Sequence, residues 1–376
     1  MNDKFITVCE PFLAGNERKY VLDAIDTGWI SSSGKYISKF ENSFAEYCGV
    51  KHGIAVCNGT VALHLALTAI GIGKGDEVIV SNFTMIASAF SICYTGAMPV
   101  FVDAEPVTWN INVNKIEEKI TSRTKAIMVV HIYGHPSDMD SIMGIAKKYD
   151  LKVIEDAAEV HGAEYKGKKC GNLGDIAAFS FFANKIATTG EGGMVLTNDD
   201  KLGEKSRYFK NLCFPLKGPR NYTHNDIGFN YRMSNLHAAV GLAQVEKLDF
   251  YVEKRRKINS LYKEHLKDVP GITLQPELNY AKNVYWMNGA IINEKGFGMS
   301  RDELMLKLKE HGVDSRLFFT GMHRQPALIN YGCNSKGDYP VSDFLEKNGF
   351  YLPSGSNLTE NEIEYICNSI KKIIGK

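Results

Sequence analysis

The chain has 376 residues and a net charge of +1, with 44% hydrophobic and 23% charged residues. This length allows a large core and more than one domain, and the composition is that of an ordinary globular protein. The near-neutral charge excludes a field that would gather nucleic acid or an anionic membrane, so any phosphate recognition must be local.

Two further features narrow the class of protein. No run of about 18 apolar residues predicts a membrane-spanning helix, and the start, MNDKFITVCEPF, lacks the pattern of a signal peptide. The eight cysteines are scattered without a C-x-x-C pair, which argues against a zinc site or a disulfide framework. We therefore expect reduced thiols, no metal, no nucleic-acid or membrane partner, and a cytoplasmic location.

The first predicted element is a helix over residues 17–25, and β-rich runs then alternate with helical patterns from about residue 50 to 200. The strand-like runs are HGIAVC, DEVIVSN, MPVFVDA, KAIMVVHIYG, LKVIEDAA and DIAAFSFF. The helical runs between them include GTVALHLALTAIGI, IASAFSICYTG and MDSIMGIAKKYD. This alternation predicts a mostly parallel sheet covered by helices on both faces, with ligands beyond the carboxyl ends of the strands.

The pattern changes after residue 235. Residues 237–269 predict one long amphipathic helix, and residues from about 270 to 376 are typical of a smaller α+β segment. That segment includes the helical runs SRDELMLKLKEHG and TENEIEYICNSIKKII. We predict a large α/β domain over residues 1–245 and a small C-terminal α+β domain over residues 246–376, with the first 20 or so residues packing against the small domain.

Asp156 ends a predicted strand and is followed by two alanines. An aspartate at such a turn is a common helix cap. It is also the anion that pyridoxal phosphate (PLP) needs beside its protonated ring nitrogen, because the charged ring acts as an electron sink. Asp156 taken alone leaves both interpretations open.

Lys185 lies in FSFFANKIATTGEGGMV, between an aromatic run and a glycine-rich turn. The strand-like run DIAAFSFF leads into it, so we expect its ammonium at a strand end. An amine in an apolar setting loses proton affinity, which makes it a competent nucleophile for an aldehyde. Ser180 is placed to donate to a phosphate, and the glycines allow a close approach to a cofactor. An exposed lysine beside a plain β-turn is the alternative.

The turn Asn58-Gly59-Thr60 opens a predicted helix. The free N–H groups and positive dipole end of such a turn suit a phosphate, although ordinary capping by asparagine explains it equally well. Together the three motifs provide a phosphate cradle, an anion and an amine. That combination favours PLP as the cofactor.

The order NGT, EDAAE, FSFFANK, TTGEGGMV and GFNYRMSN resembles the DegT/DnrJ/EryC1/StrS sugar aminotransferase family. The resemblance covers almost the whole chain and is greatest to the GDP-perosamine synthase-like 4-aminotransferases within that family. It implies fold type I of the PLP-dependent transferases, aspartate aminotransferase-like, with a mostly parallel seven-stranded sheet. It also implies a homodimer with shared active sites.

The resemblance implies transfer of the amino group of L-glutamate onto a 4-keto-6-deoxy nucleotide sugar, through a pyridoxamine phosphate form of the cofactor. The product it favours is GDP-perosamine, from GDP-4-keto-6-deoxymannose, for O-antigen or other surface polysaccharide. Alternatives are a dTDP-4-keto-6-deoxyglucose 4-aminotransferase, a 3-keto sugar 3-aminotransferase and a non-catalytic PLP-binding regulator.

Site residues follow from the resemblance position by position. Lys185 forms the internal aldimine, and Asp156 pairs with the pyridine nitrogen. The other cofactor contacts that it implies are Gly59, Thr60 and Ser180 at the phosphate, Glu159 near the ring O3′, and Asn230 from the neighbouring subunit. Met85 stands where the family usually has a stacking aromatic, and methionine can still cover a ring face. A lysine rather than a histidine at position 185 favours transamination over dehydration.

The loops TGWISSSGKY and DSRLFFTGMHRQP match stretches that bind the sugar nucleotide in the family. The substrate-binding residues implied are Trp29, Ser31, Lys35, Arg316, His323 and Arg324. Solvated surface cations are the alternative for the charged ones, and His323 alone also fits a structural role. Arg232 fits support of the GFNYRMSN loop, a substrate contact or a structural ion pair.

Overall fold

The computed structural model describes residues 5–219 and 221–375. Residues 1–4 of the predicted large domain, together with residues 220 and 376, lie outside the described residues. The strands are β1 (His52–Val56), β2 (Glu77–Ser81), β3 (Met98–Val102), β4 (Thr124–Val130), β5 (Lys152–Asp156), β6 (Glu164–Tyr165), β7 (Lys168–Lys169), β8 (Ile176–Ser180), β9 (Gly193–Thr197), β10 (Ile272–Leu274), β11 (Ala281–Lys282), β12 (Asn288–Ile292), β13 (Arg316–Leu317) and β14 (Gly349–Leu352).

The α-helices are α1 (Glu17–Asp26), α2 (Lys35–Cys48), α3 (Gly59–Ile70), α4 (Ile86–Tyr94), α5 (Met139–Tyr149), α6 (Asp200–Phe209), α7 (Asn235–Val245), α8 (Leu248–Leu266), α9 (Glu294–Phe297), α10 (Arg301–Glu310), α11 (Pro326–Tyr331), α12 (Pro340–Asn348) and α13 (Glu360–Ile373). Short 3-10 turns cover Val113–Lys115, Glu117–Lys119, Ile132–Gly134 and Met322–Arg324. The predicted early helix and both predicted C-terminal helices are therefore confirmed.

The largest sheet has seven strands in the order β1-β9-β8-β5-β4-β2-β3. Strands β3, β2, β4, β5 and β8 pair in parallel, and β9 runs antiparallel to both of its neighbours. Alternate residues of β2 belong to different buried clusters, with Val78 and Val80 on one side and Ile79 on the other. Since side chains alternate across a strand, both faces of the sheet are covered, as predicted.

The C-terminal part forms a separate antiparallel sheet in the order β10-β12-β14-β13. Its residues pack with α8, α10 and α13 around a buried cluster of their own. Ile6 belongs to this cluster and forms a parallel bridge with Val313. A third small sheet joins β11 to β6 and β7, so the C-terminal part also pairs with the region that follows β5.

The predicted single helix over residues 237–269 is wrong, because the structure has α7 and α8 with a turn between them. The turn is at Glu246 and Lys247, and Lys247 has φ −115° and ψ 9°. The carboxylate of Glu246 accepts hydrogen bonds from Asn16 Nδ2 at 2.8 Å and Tyr20 Oη at 2.7 Å. Helix α7 packs on α1 and α2, whereas α8 packs on α13. One straight helix cannot reach both surfaces, and the periodic pattern carries no signal of the turn.

All eight cysteines are free. Within the described residues, none of the helices has the length and apolar character required to cross a bilayer.

Candidate active site

A cavity of about 640 Å³ opens beyond the carboxyl ends of the parallel strands, where ligands were predicted. It is lined by the turn before α3, the start of α4, the end of β5 and the segment after β8. The sequence-predicted residues that line it are Gly59, Thr60, Met85, Asp156, Glu159, Ser180 and Lys185. Chain segments far apart in sequence therefore bring the amine, the carboxylates and the helix N-terminus to one cavity.

Asp156 is the last residue of β5 and is only 6% exposed. Its Oδ2 accepts a 2.7 Å hydrogen bond from Ser88 Oγ, and its Oδ1 accepts one from the Ala158 amide at 3.3 Å. Residues 157–163, all described, form turns rather than a helix, so the helix-cap interpretation is wrong. Burial raises the pKa of Asp156, and the Ser88 hydrogen bond opposes that rise.

Lys185 lies in a turn, not at the strand end that was predicted. Strand β8 ends at Ser180, and the Lys185 amide donates to the Phe182 carbonyl at 2.9 Å. The side chain is 11% exposed, which excludes the alternative of a solvent-facing lysine. Its Nζ lies 3.9 Å from Oε1 of Glu159 and 3.6 Å from the ring centre of Trp286. Burial lowers the pKa of Lys185, while Glu159 and Asp156 oppose that shift.

Glu159 provides the carboxylate nearest to the amine. Its Oε2 accepts a 2.7 Å hydrogen bond from the Tyr133 amide, and Tyr133 has a positive φ of 56°. Burial raises the pKa of Glu159 to about 7, against the attraction of Lys185 and the Tyr133 hydrogen bond. Burial thus favours the neutral form of both the carboxyl and the amine, and the attraction between their charged forms opposes it.

The turn before α3 combines the two interpretations that the sequence left open. Asn58 caps the helix, since its side chain accepts from the Val61 amide at 3.0 Å. Gly59 and Thr60 still line the cavity, with the hydroxyl of Ser180 facing them. A Cβ added to Gly59 would lie 2.6 Å from the Ser180 Cβ and 2.9 Å from its Oγ. This cradle of helix N–H groups and a hydroxyl therefore requires glycine and suits a phosphate.

The glycine-rich turn packs against the same cradle. A Cβ on Gly193 would lie 2.3 Å from the Asn58 carbonyl oxygen, so glycine is needed there for backbone contact. Glu191 of this turn lines the cavity, and Gly190 has a positive φ of 81°. The close packing of Gly193 on the Asn58 carbonyl thus holds the turn, with Glu191, at the edge of the cavity.

Met85 precedes α4 and is 47% exposed at the cavity. Its Sδ accepts from the Ala87 amide at 3.0 Å, which fixes the side chain. The cavity also contains residues that the sequence analysis did not identify: Ser88, Asn184, Trp286, Phe319 and Tyr351. The last three come from the C-terminal part, and no local pattern predicts that they meet Lys185.

The first predicted substrate loop lies outside this cavity in the single chain. Trp29 and Lys35 line a separate depression with Asp23 and Asn235, and Lys35 pairs with Asp23 at 2.7 Å. The main-chain oxygen of Ser31 accepts from the Asn235 amide at 2.6 Å. The loop is therefore held by α7, and Trp29 remains 57% exposed.

The second predicted loop reaches the cavity through Phe319, but its predicted substrate-binding residues lie outside the cavity and have their own partners. Arg316 pairs with Asp314 at 3.1 Å, and Arg324 lies 3.5 Å from Glu346. The His323 ring contacts Asn82 at 2.9 Å and Asp343 at 3.3 Å. The structural interpretation of His323 therefore accounts for its position.

The GFNYRMSN motif lies outside the cavity as well. Asn230 is exposed and forms a bridge with Asn211. Arg232 donates to Asn211 Oδ1 at 2.8 Å, and within residues 5–219 and 221–375 no carboxylate lies within ion-pair distance of it. The predicted alternative of an ion pair at Arg232 is therefore not the arrangement observed.

A buried group of possible metal ligands lies next to the site, at His131, Glu155 and Cys170. The carboxylate of Glu155 accepts from the amides of residues 171, 173 and 174 at 2.7–2.8 Å and from His131 Nε2 at 3.1 Å. His131 Nδ1 accepts from the Ser137 amide at 3.0 Å. His131 and Glu155 of this group are thus held by hydrogen bonds, which fix the end of β5 beside Asp156.

Comparison with known proteins agrees with this geometry. The DegT/DnrJ/EryC1/StrS aminotransferase family matches residues 11–371. Two GDP-perosamine synthases, from Caulobacter vibrioides and Escherichia coli O157:H7, are 46% and 44% identical, each over 98% of both chains. The structure of Helicobacter pylori PseC, an aminotransferase of pseudoaminic acid biosynthesis, superposes with a TM-score of 0.92 at 27% identity, covering 98% of this chain and 99% of that one. The chain belongs to the DegT/DnrJ/EryC1/StrS family of pyridoxal phosphate-dependent aminotransferases.

Proposed function

We propose that this aminotransferase moves the amino group of L-glutamate onto carbon 4 of GDP-4-keto-6-deoxymannose, giving GDP-perosamine and 2-oxoglutarate for O-antigen or another surface polysaccharide. The observation that carries the reaction type is one cavity containing the Lys185 amine, the Asp156 carboxylate and the Gly59–Ser180 cradle. The sugar is supported by the GDP-perosamine synthases that match nearly the whole chain at 42–46% identity.

The residues present fit PLP, on the ground that only a glycine at position 59 leaves room between α3 and Ser180. When bound, PLP supplies an aldehyde for amines and a ring that accepts the electrons of a deprotonated carbon. Gly59, Thr60 and Ser180 hold its phosphate in our proposal, and Met85 covers a ring face. A protonated ring nitrogen would place an opposite charge beside the buried Asp156 carboxylate, which would stabilise its ionised form.

Lys185 has two roles in the proposal, as the amine that binds the cofactor aldehyde and as the base that moves the proton. Burial lowers its pKa, which increases the neutral fraction that accepts a proton. In the first half-reaction it takes the proton from the α-carbon of glutamate. In the second it gives a proton to the sugar carbon that carried the ketone, so one base serves both halves.

Glu159 is proposed to lie beside the ring oxygen O3′. Its Oε1 is 3.9 Å from the Lys185 amine, and its pKa is raised to about 7 by burial. As a carboxyl it donates a hydrogen bond, and as a carboxylate it stabilises the charged amine. Tyr133 holds it in position through its amide.

We propose that a second copy of the chain completes each site. Asn230 of that copy reaches the phosphate, and the loops with Trp29, Ser31, Lys35, Arg316, His323 and Arg324 bind the nucleotide sugar. Large apolar side chains near these loops support the interface, since Trp29 is 57% exposed, Leu216 46% and Ile227 90%. A homodimer is the simplest assembly that brings these surfaces to the cavity.

We also propose that the large and small domains divide at residues 245 and 246. The turn at Glu246 and Lys247 and the separate C-terminal cluster support this division. The free cysteines support action in the reducing cytoplasm.

The test compares GDP-4-keto-6-deoxymannose with dTDP-4-keto-6-deoxyglucose, each with L-glutamate as donor, and locates the product amine by NMR. The proposal expects the GDP sugar to be preferred and the amine to be on C4. An amine on C3, or a preference for the dTDP sugar, would replace the proposal with one of the two alternatives from the sequence.

A further inference from the structure

The Lys185 amine has a neighbour of a different kind from the two carboxylates. Its Nζ lies 3.6 Å from the centre of the Trp286 ring, closer than the 3.9 Å that separates it from Glu159 Oε1. An ammonium over an indole face is attracted by the negative face of the ring, and indole is the strongest aromatic partner. Trp286 is 4% exposed, so solvent does little to weaken this contact.

The orientation of the Trp286 ring is fixed from two sides. Its Nε1 donates to the Asn184 carbonyl at 2.8 Å, directly before Lys185 in the chain. Its ring stacks on Tyr133 with 6.3 Å between centres and 28° between planes. The indole therefore cannot turn without losing a hydrogen bond, and it keeps one face toward the amine.

Arg255 on α8 holds the backbone of Trp286. It is 1% exposed and donates to the Trp286 carbonyl at 2.9 Å, to Ser356 Oγ at 2.9 Å and to Cys9 Sγ at 3.3 Å. The thiol of Cys9 lies 3.4 Å from the Asn184 carbonyl oxygen. Burying a guanidinium costs free energy unless its N–H groups are hydrogen-bonded. Here the Arg255 N–H groups bond the Trp286 carbonyl and the Cys9 thiol, and that thiol contacts the Asn184 carbonyl. Arg255 is therefore connected to both residues of the Trp286–Asn184 hydrogen bond.

We propose that the face of Trp286 is the resting position of the Lys185 amine whenever that amine is not bound to the cofactor, and that Arg255 is the positioning residue that holds Trp286. The inference rests on the proposed function, because it takes Lys185 as the amine that binds and leaves the aldehyde. A fixed resting position keeps the freed amine within the cavity, next to Glu159, ready for proton transfer.

The test is made on the apoenzyme with ¹³C at the lysine ε-carbons, and Lys185→Arg identifies the Lys185 signal. We expect the Lys185 ε-protons upfield of those of exposed lysines, because the indole ring current acts on them. Trp286→Leu abolishes that shift. Trp286→Phe keeps an aromatic face but loses the Asn184 hydrogen bond, so it retains part of the shift. Arg255→Met reduces the shift without removing the indole.

Phe250→Leu is the matched control, because it removes an exposed contact in which Lys254 Nζ lies 5.7 Å from an aromatic ring. It leaves the Lys185 signal unchanged. The proposal is overturned if the wild-type Lys185 signal coincides with those of exposed lysines, or if Trp286→Leu leaves it in place. This readout needs neither cofactor nor sugar, so its outcome is independent of the nucleotide-sugar assay.

Activity gives a second readout for the two conservative variants. Trp286→Phe and Arg255→Lys are expected to lower kcat for the glutamate half-reaction by about tenfold with KM nearly unchanged, since the amine is misplaced after substrate binds. The proposal would be contradicted if kcat/KM fell by the same factor because KM increased while kcat stayed unchanged.

Discussion

Gly59 and Ser180 lie in direct contact at the N-terminus of α3, because a Cβ on Gly59 would be 2.6 Å from the Ser180 Cβ. Gly59→Ala is therefore expected to displace either the helix start or Ser180. We predict a loss of PLP affinity of at least about tenfold, or roughly 1.4 kcal/mol, measured by absorbance titration of the apoenzyme. Gly144→Ala is the control, since that glycine is at an exposed position of α5 with open space around it. Equal PLP affinity in Gly59→Ala would contradict the phosphate assignment.

Glu159 makes the apoenzyme less stable as pH rises. Its carboxyl has an ordinary pKa of 4.5 and one of about 7 in the fold, so between these values the unfolded chain ionises first. Below pH 4.5 the Glu159 carboxyl does not lower the free energy of unfolding, and above pH 7 the whole decrease is present. The Glu159→Gln side chain does not ionise, so this decrease is absent from the variant. The free energy of unfolding of the variant minus that of wild type is therefore predicted to increase by about 3 kcal/mol between pH 4.5 and 8.

Urea unfolding of the two apoenzymes at pH 5 and pH 8 measures this difference. Glu204→Gln, at an exposed position of α6, is the control and should show no such pH dependence. A Glu159→Gln difference that is the same at both pH values would show that Glu159 is ionised in the fold throughout.

His161 has the opposite pH dependence. Its ring lies among Phe44, Phe179 and Phe181, and this burial lowers the pKa of His161 to about 3. The folded chain thus binds fewer protons than the unfolded chain between pH 3 and 6.5, and stability is lost as pH falls through that window. The free energy of unfolding of His161→Phe minus that of wild type, measured with urea, should be about 2 kcal/mol larger at pH 5 than at pH 8. An unchanged difference would mean that His161 is protonated in the fold.

Much of this arrangement is predictable from sequence, where the controlling interactions are local. Apolar runs predicted the strands, and Asp156 was correctly placed at the end of β5. Lys185 was predicted as a buried amine, yet its position in a turn five residues beyond β8 was missed, because Phe181 is buried and continues the apolar pattern past the last strand residue.

The parts that sequence did not predict depend on distant contacts. Trp286, Phe319 and Tyr351 reach the cavity only because the C-terminal part folds over the strand ends. The turn between α7 and α8 follows from hydrogen bonds of Glu246 to residues near the N-terminus, and neither glycine nor proline marks it. Residues on the first substrate loop lie away from the cavity in a single chain, so their role depends on the proposed second copy.

Asn230 gives a direct test of shared sites. We predict that Asn230→Ala and Lys185→Ala are each defective in turnover, and that mixing the two unfolded variants and refolding them together restores activity. In the hybrid dimer, the site with an intact Lys185 receives an intact Asn230 from the other chain. Random pairing should restore about one quarter of the wild-type sites. If the mixture is no more active than the single variants, the sites are not shared.

Lys185 is, in the proposed mechanism, both the amine and the base of a transaminase. The most direct measurement is the single-turnover reaction of the PLP-loaded enzyme with L-glutamate, followed as 2-oxoglutarate released per site. Wild type is predicted to release one equivalent, and Lys185→Ala is predicted to be slower by at least about a thousandfold, because the α-proton has no positioned base. Release by Lys185→Ala at close to the wild-type rate would contradict the account.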